Sequence, residues 1–200
     1  SYRDSPRSPC AIRHVRTTIV VNACENDRMR LGMSITSGYP GLDGTAAVGS
    51  LLERGRVASQ AGLDHLTLGD QHATRSFPYV QNVPAIGRIM ADWPRDKPIG
   101  LLLLLPLWNP VIAAEQIGTL AAMSDAPFIV QTGIGSGARQ FAALGADLSS
   151  RGRITDASIT AMKELFAGKQ VTAPGLDIID ASISPRPPQP VEWWIGSGVA

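Results

Sequence analysis

The chain has 200 residues, 44% of them hydrophobic, which is enough apolar surface for a sizeable core and too much for a disordered chain. Eighteen Lys and Arg stand against 17 Asp and Glu, a formal net charge of +1, and this excludes a general polyanion binder, because phosphate backbones call for clustered excess positive charge. Two cysteines, Cys10 and Cys24, exclude a disulfide-stapled scaffold and leave too few thiolates for a metal site, so no metal is expected.

Residues 1–28 carry Arg3, Arg7, Arg13, Arg16 and Arg28 with Pro6 and Pro9, and no apolar stretch followed by a small-residue cleavage site. They read as a disordered or non-native leader. Met29 opens a regular pattern, and residues 29–200 read as one domain. Leu31 to Ile35 is a strand that runs into a Gly/Pro loop. Thr45 to Ala61 has apolar residues near a 3.6 period and stops at Gly62, so it is a helix. Leu63 to Leu68 is the second strand, followed by Gly69-Asp-Gln-His-Ala-Thr74. Val83 to Trp93 is a helix with Pro84 in its first turn and Pro94 beyond its end.

Pro98 to Leu105 is apolar at nearly every position, as strands covered on both faces are. The run from Ile99 to Trp108 has about half the ~20 residues of a membrane-spanning helix, and Pro106 interrupts it. Val111 to Met123 is the third helix and Phe128 to Ile134 the fourth strand. Two helical stretches follow, Ala138 to Gly145 and Ile154 to Phe166, then a Pro-rich region with a hairpin around Leu176 to Ile183, and a fifth strand at Val191 to Ile195. Strands and helices in alternation make a parallel sheet with right-handed crossovers. Two α/β architectures fit: an open doubly wound sheet, and a (β/α)₈ barrel truncated after its fifth strand. Both place ligands at the C-terminal ends of their strands.

Three clusters at those ends carry chemistry. Asp70, Gln71 and His72 put a carboxylate, an amide and a titratable imidazole at one exit, a set suited to proton transfer near neutral pH. A capping Asp70 with a surface His72 is the equal alternative. His65, inside a strand, reads as a satisfied structural histidine. Asn109, just before Pro110, is either a helix cap or a group bonding a cofactor ring, and Trp108 either packs or stacks on a ligand. Thr132-Gly-Ile-Gly-Ser-Gly-Ala138 formally fits G-x-G-x-x-[G/A], but it lies after the fourth strand, where a generic anion or ring-edge cradle is the better reading than an NAD fingerprint. Arg139, Arg151 and Arg153 follow it, more as surface ion-pair formers than as ligand groups.

On four blocks in order, the chain resembles the luciferase-like flavin-dependent monooxygenase superfamily, in particular its deazaflavin (coenzyme F-420) oxidoreductase branch. They are Leu68-Gly-Asp-Gln-His72, Leu105-Pro-Leu-Trp-Asn-Pro110 leading into Ala113 to Ala121, Val130-Gln-Thr-Gly-Ile-Gly-Ser-Gly137, and Trp194-Ile-Gly-Ser197. The likeness runs from about Met29 to Gly198. It implies a TIM-type (β/α)₈ barrel, here ending after the fifth strand, and FMN or deazaflavin as hydride carrier on a small organic substrate.

By the same resemblance Asp70 and His72 are the catalytic pair, and Asn109 contacts the ring. Gly133, Gly135, Ser136 and Gly137 face the ribityl-phosphate arm, and Gly196 and Ser197 extend that wall. A non-proline cis peptide near Leu102-Leu103 would place those two against the cofactor, at a cost of ~3 kcal/mol. Gln71 separates an Asp and a His that many deazaflavin members keep adjacent, and Ala126-Pro127 replaces the usual Gly-Arg. A cytoplasmic homodimer with no nucleic-acid or membrane partner completes the expectation, and residues 1–200 alone are expected to fold poorly or bind cofactor weakly. The competing readings are a non-catalytic barrel that binds a phosphorylated ligand or serves as a partner subunit, and an NAD-binding Rossmann-like domain.

Overall fold

The computed structural model describes residues 19–22 and 29–196. Cys10, Cys24, Ser197 and most of the expected leader lie outside the described residues. Inside that leader, Ile19–Asn22 form a strand, β1, which the sequence reading does not anticipate. The remaining elements are β2 (Arg30–Ile35), α1 (Gly44–Gln60), β3 (His65–Leu68), α2 (Asn82–Met90), β4 (Ile99–Leu104), α3 (Pro110–Ala121), β5 (Ile129–Gly133), α4 (Ala138–Ala143), α5 (Arg151–Phe166), β6 (Val171–Ala173), β7 (Ile178–Ala181) and β8 (Glu192–Ile195).

The six-stranded sheet runs β1-β2-β3-β4-β5-β8, with β6 and β7 as a separate antiparallel hairpin. β1 is antiparallel to β2, and every other pair is parallel. From β2 onward the spatial order follows the chain order. A doubly wound sheet reverses direction at a switch point, and this one does not, so the winding is that of a barrel. The Rossmann-like reading falls with it.

Residues paired across parallel strands share a face, and the register divides them. Leu66, Leu68, Leu101, Leu103 and Val130 face the helices and are almost wholly buried, against Leu51 of α1, Ile86 and Ile89 of α2, Ile117 of α3 and Met162 and Leu165 of α5. The other face is concave. It carries Gly32 and Ser34 from β2, His65 and Thr67 from β3, Gly100 and Leu102 from β4, Ile129 and Gln131 from β5, and Glu192 and Trp194 from β8. Its curl is visible in contacts that skip the strands between. The His65 ring meets the Trp194 ring edge-on at 5.1 Å, and an Arg30 guanidinium nitrogen lies 3.5 Å from Glu192 Oε1.

Local chemistry explains the element ends. Asp43 caps α1 by accepting from the Ala46 N–H at 2.8 Å, and Lys97 Nζ donates to the carbonyls of Gly62 and Leu63 just past its C-terminus. The expected cis peptide at Leu102-Leu103 is not found. Among the described residues the cis bond is Ser184-Pro185. Leu102 and Leu103 sit in unbroken register with Gln131 and Thr132, and Asn82 Nδ2 donates to the Leu102 carbonyl at 2.6 Å, so a trans backbone is already satisfied there without the ~3 kcal/mol cost.

Candidate active site

The parallel strands all end at one edge of the concave face, and the ladder continues one step past two of them. Gly69 N–H donates to Ile35 O at 3.2 Å and Gly196 N–H to Thr132 O at 3.1 Å. Following the side alternation to that edge, the exit row reads Thr36, Gly69, Leu104, Gly133 and Gly196. Three of the five have no side chain, and the only apolar bulk is Leu104, whose Cδ2 would lie 3.2 Å from a β-carbon added to Gly133. Thr36 and Gly196 are exposed and Gly69 and Gly133 half-buried, so the row presents mostly backbone, with the Tyr79 hydroxyl standing over Gly69.

Asp70 and His72 stand above that row, as expected. Asp70 Oδ2 accepts from the Leu104 backbone N–H and from the Trp108 indole N–H, each at 2.8 Å. Its Oδ1 lies 3.1 Å from His72 Nε2, within reach of an ion pair. The Asp70 side chain is 1% exposed and that of His72 17%, so Asp70 is sealed in while His72 reaches the edge. The Trp108 ring is edge-on to His72 at 5.5 Å. The contact with Asp70 holds the His72 imidazole above its ordinary pKa, against the opposing effect of burial. The interposed Gln71 is accommodated by a loop whose carbonyl at Gln71 accepts from Gln81 Nε2 at 3.2 Å.

The remaining expected residues divide. Asn109 is the cap of α3: its Oδ1 accepts from Val111 N–H at 2.9 Å and Ile112 N–H at 3.3 Å, which leaves its amide N–H₂ as the free half. Leu102 faces the concave side, whereas the Leu103 side chain is buried against the helices and points away from the exit row. Gly133 ends β5. Gly135 takes a left-handed backbone, φ 66°, and a β-carbon there would meet the Phe141 ring at 3.0 Å. Ser136 and Gly137 are exposed on the loop that leads into α4. Arg151 donates to the Leu148 carbonyl at the start of α5, and Arg139 and Arg153 are exposed.

His65 differs from expectation. It is 2% exposed, yet neither ring nitrogen has a hydrogen-bond partner, and burial first, then the Arg30 charge, lowers its pKa. It is buried but not satisfied. Sequence reasoning also missed Ser37, Tyr79 and Asn82. Ser37 is fully buried at the exit of β2, beside the Tyr79 hydroxyl, and Asn82, 1% exposed, ties α2 to β4. Asn82 sits one residue before the expected helix, in the position where polar caps collect, and that was the available signal.

Among the described residues no group of three His, Cys, Asp or Glu is placed to hold a metal ion, and no helix is long and apolar enough to cross a membrane.

Comparison with known proteins agrees with this geometry. The chain is 27% identical over 161 residues to an F420-dependent glucose-6-phosphate dehydrogenase of Amycolatopsis mediterranei (strain U-32), a match covering 74% of this chain and 47% of that protein. Its fold superposes on the monooxygenase RslO1 from Streptomyces bottropensis with a TM-score of 0.67 at 16% identity, covering 76% of this chain and 48% of that one. It also superposes on the oxygenating constituent of 3,6-diketocamphane monooxygenase from Pseudomonas putida, a structure in complex with FMN, with a TM-score of 0.62 at 17% identity, covering 74% and 41%. The chain thus spans about half the length of these relatives. The family model for luciferase-like monooxygenases matches residues 29–199. Barrel winding, exit-edge chemistry and this match converge, and the chain belongs to the luciferase-like monooxygenase family.

Proposed function

We propose that the chain is the cofactor-binding part of an oxidoreductase that uses FMN or deazaflavin as hydride carrier on a small organic substrate. The observation that carries this is the exit row. A flat ring needs a wall it can approach closely and a few polar groups at its rim. Gly133 and Gly196 supply the first, and His72 and the free amide of Asn109 supply the second. When bound, the cofactor accepts or delivers the hydride, and the protein orients and polarises.

Within that division of labour Asp70 is a positioning residue. Two donors clamp Oδ2, so the carboxylate cannot swing, and its other oxygen biases His72 toward the protonated form. His72, nearer the edge, is the group that gives a proton to the substrate or takes one from it. Ser136 and Gly137, with the backbone of Gly133 and Gly135, form the rim on which a phosphate-bearing arm would rest, and Gly196 extends it; Ser197, outside the described residues, enters on the family resemblance alone. The named relative that uses F420 favours the deazaflavin over FMN. Cytoplasmic location and a homodimeric full-length protein belong to the same reading.

Absorbance and fluorescence titration with FMN and, separately, coenzyme F-420 tests it. Saturable binding of one is expected, and binding of neither overturns the proposal. A second reading, a non-catalytic barrel, is favoured by the burial of Asp70, whose carboxylate is fully employed as a latch. Turnover that survives His72→Ala with cofactor binding intact would remove His72 from the chemistry; lost turnover with retained binding supports its role.

A further inference from the structure

Tyr79 is the titratable group at the strand exits that the reading above leaves idle. Two loops are zipped together around it. Tyr39 N–H donates to Pro78 O at 3.0 Å, Val80 N–H donates to Ser37 O at 2.9 Å, and Gly38 pairs with Tyr79 between them. The ring occupies a slot made by two glycines. A β-carbon on Gly38 would sit 3.3 Å from ring carbon Cδ2, and one on Gly69 would sit 2.7 Å from the hydroxyl oxygen. The phenol oxygen therefore lies over the backbone of the exit row, one residue before Asp70. Burial first, and then the Asp70 charge, pushes the phenol up to about 12, with Ser37 opposing. The hydroxyl keeps its proton at every physiological pH and is a standing donor. Beside it, the wholly buried Ser37 donates toward the phenol oxygen and leaves the phenol's own proton for a ligand.

We propose that the Tyr79 hydroxyl is a ligand-facing donor of this site, hydrogen-bonding an acceptor oxygen on the ring cofactor held along Gly133 and Gly196. Phenylalanine would fill the slot between Gly38 and Gly69 equally well. The hydroxyl adds one thing, a neutral donor at the edge of the exit row. Tyr79 joins His72 on the same rim, and the two differ in kind. His72 changes charge near neutral pH, whereas Tyr79 does not. One moves a proton, and the other fixes where the ring sits.

The inference rests on the cofactor reading, and one experiment separates their failures. Wild type and Tyr79→Phe are each titrated with FMN and with coenzyme F-420, at a temperature where thermal melts show both proteins fully folded. Loss of one neutral hydrogen bond is expected to raise the dissociation constant of the cofactor that binds by about 3- to 12-fold. The melting temperature is expected to fall only slightly, by the lost Ser37 contact, because the ring packing is kept. Equal dissociation constants in the two proteins would overturn the role of Tyr79 and leave the cofactor reading standing. So would an equal affinity with a lowered melting temperature, which would make the hydroxyl structural. Binding of neither cofactor by wild type removes the cofactor reading and this inference with it.

Discussion

At the scale of single residues, Asp70 carries the most consequence. Its Oδ2 satisfies two buried donors from the exit of β4, and an ionised acceptor makes such bonds worth about 1.5–3 kcal/mol each. Asp70→Ala strands both donors and is expected to cost about 2–4 kcal/mol in a urea melt, while Asp70→Asn, which keeps one acceptor, costs less. Two histidines set opposite pH dependences. The folded-state pKa of His72 is raised, so its contact with Asp70 stabilises fully below pH 6.5, the unfolded value, and is lost as pH rises through the higher folded value. The folded-state pKa of His65 is lowered, so its cost appears as pH falls below 6.5. Urea midpoints measured across pH 5 to 9 are expected to show His72→Gln losing most against wild type at the acid end, and His65→Met flattening the acid decline. Asp70 and His72 were legible because a carboxylate and an imidazole sit together at a strand exit. Trp108 as a latch partner, and Tyr79 and Ser37 as site residues, were not, since each acquires its meaning only when separate loops are brought into contact.

At the scale of elements, α3 and β2 show how little room local chemistry leaves. Asn109 caps α3 through Oδ1 alone, so its two possible duties are separable. Asn109→Ala is expected to cost about 1 kcal/mol of stability. Asn109→Asp keeps the cap and removes the amide donor, so its melt is expected to match wild type while cofactor affinity falls; an unchanged affinity would assign Asn109 to capping only. On β2, Gly32 exists for its neighbour. A β-carbon there would lie 1.9 Å from His65 Nε2. Gly32→Ala is expected to destabilise by about 1–3 kcal/mol, and by far less in a His65→Ala background, a coupling that a double-mutant cycle measures. The strands from β2 to β8 and the helices beside them were legible from periodicity and Gly/Pro punctuation, with ends shifted by a residue or a few. β1 was not, although Ile19-Val20-Val21 is a β-branched run of strand type, because the Arg- and Pro-rich stretch around it reads as a leader. The hairpin begins at Val171, earlier than expected, since Val171 pairs with Ala181 across a Pro-rich turn that carries no alternation.

At the scale of the whole molecule, the choice between a barrel and an open sheet turned on strand order, which composition and period cannot report. Sequence alone left both open. Only the pairing of β5 with β8 past an intervening hairpin shows the winding to be single. The outer flank of β8 carries a groove of about 500 Å³ lined by Phe166, Trp193 and Pro187 to Pro190, with the Lys163 ammonium 5.5 Å from the centre of the Trp193 ring. On the facing flank of the sheet, Met33, Ile35 and Val57 line a second groove of about 540 Å³. The ligand chemistry argued above lies on neither flank; it is confined to the edge where the parallel strands end.

The contact between His65 and Trp194 has a kinetic meaning as well as a geometric one. It joins the second parallel strand of the chain to the last, so the loop it closes runs from residue 65 to residue 194, most of the domain, and its entropy must be met before the contact returns anything. The helix-backed pairs β2-β3 and β3-β4 close far shorter loops. Closure of the curve is therefore expected to come late in folding. Stopped-flow refolding followed by tryptophan fluorescence is expected to show a late phase that Trp194→Phe removes, while the earlier rise in helical circular dichroism is unaffected.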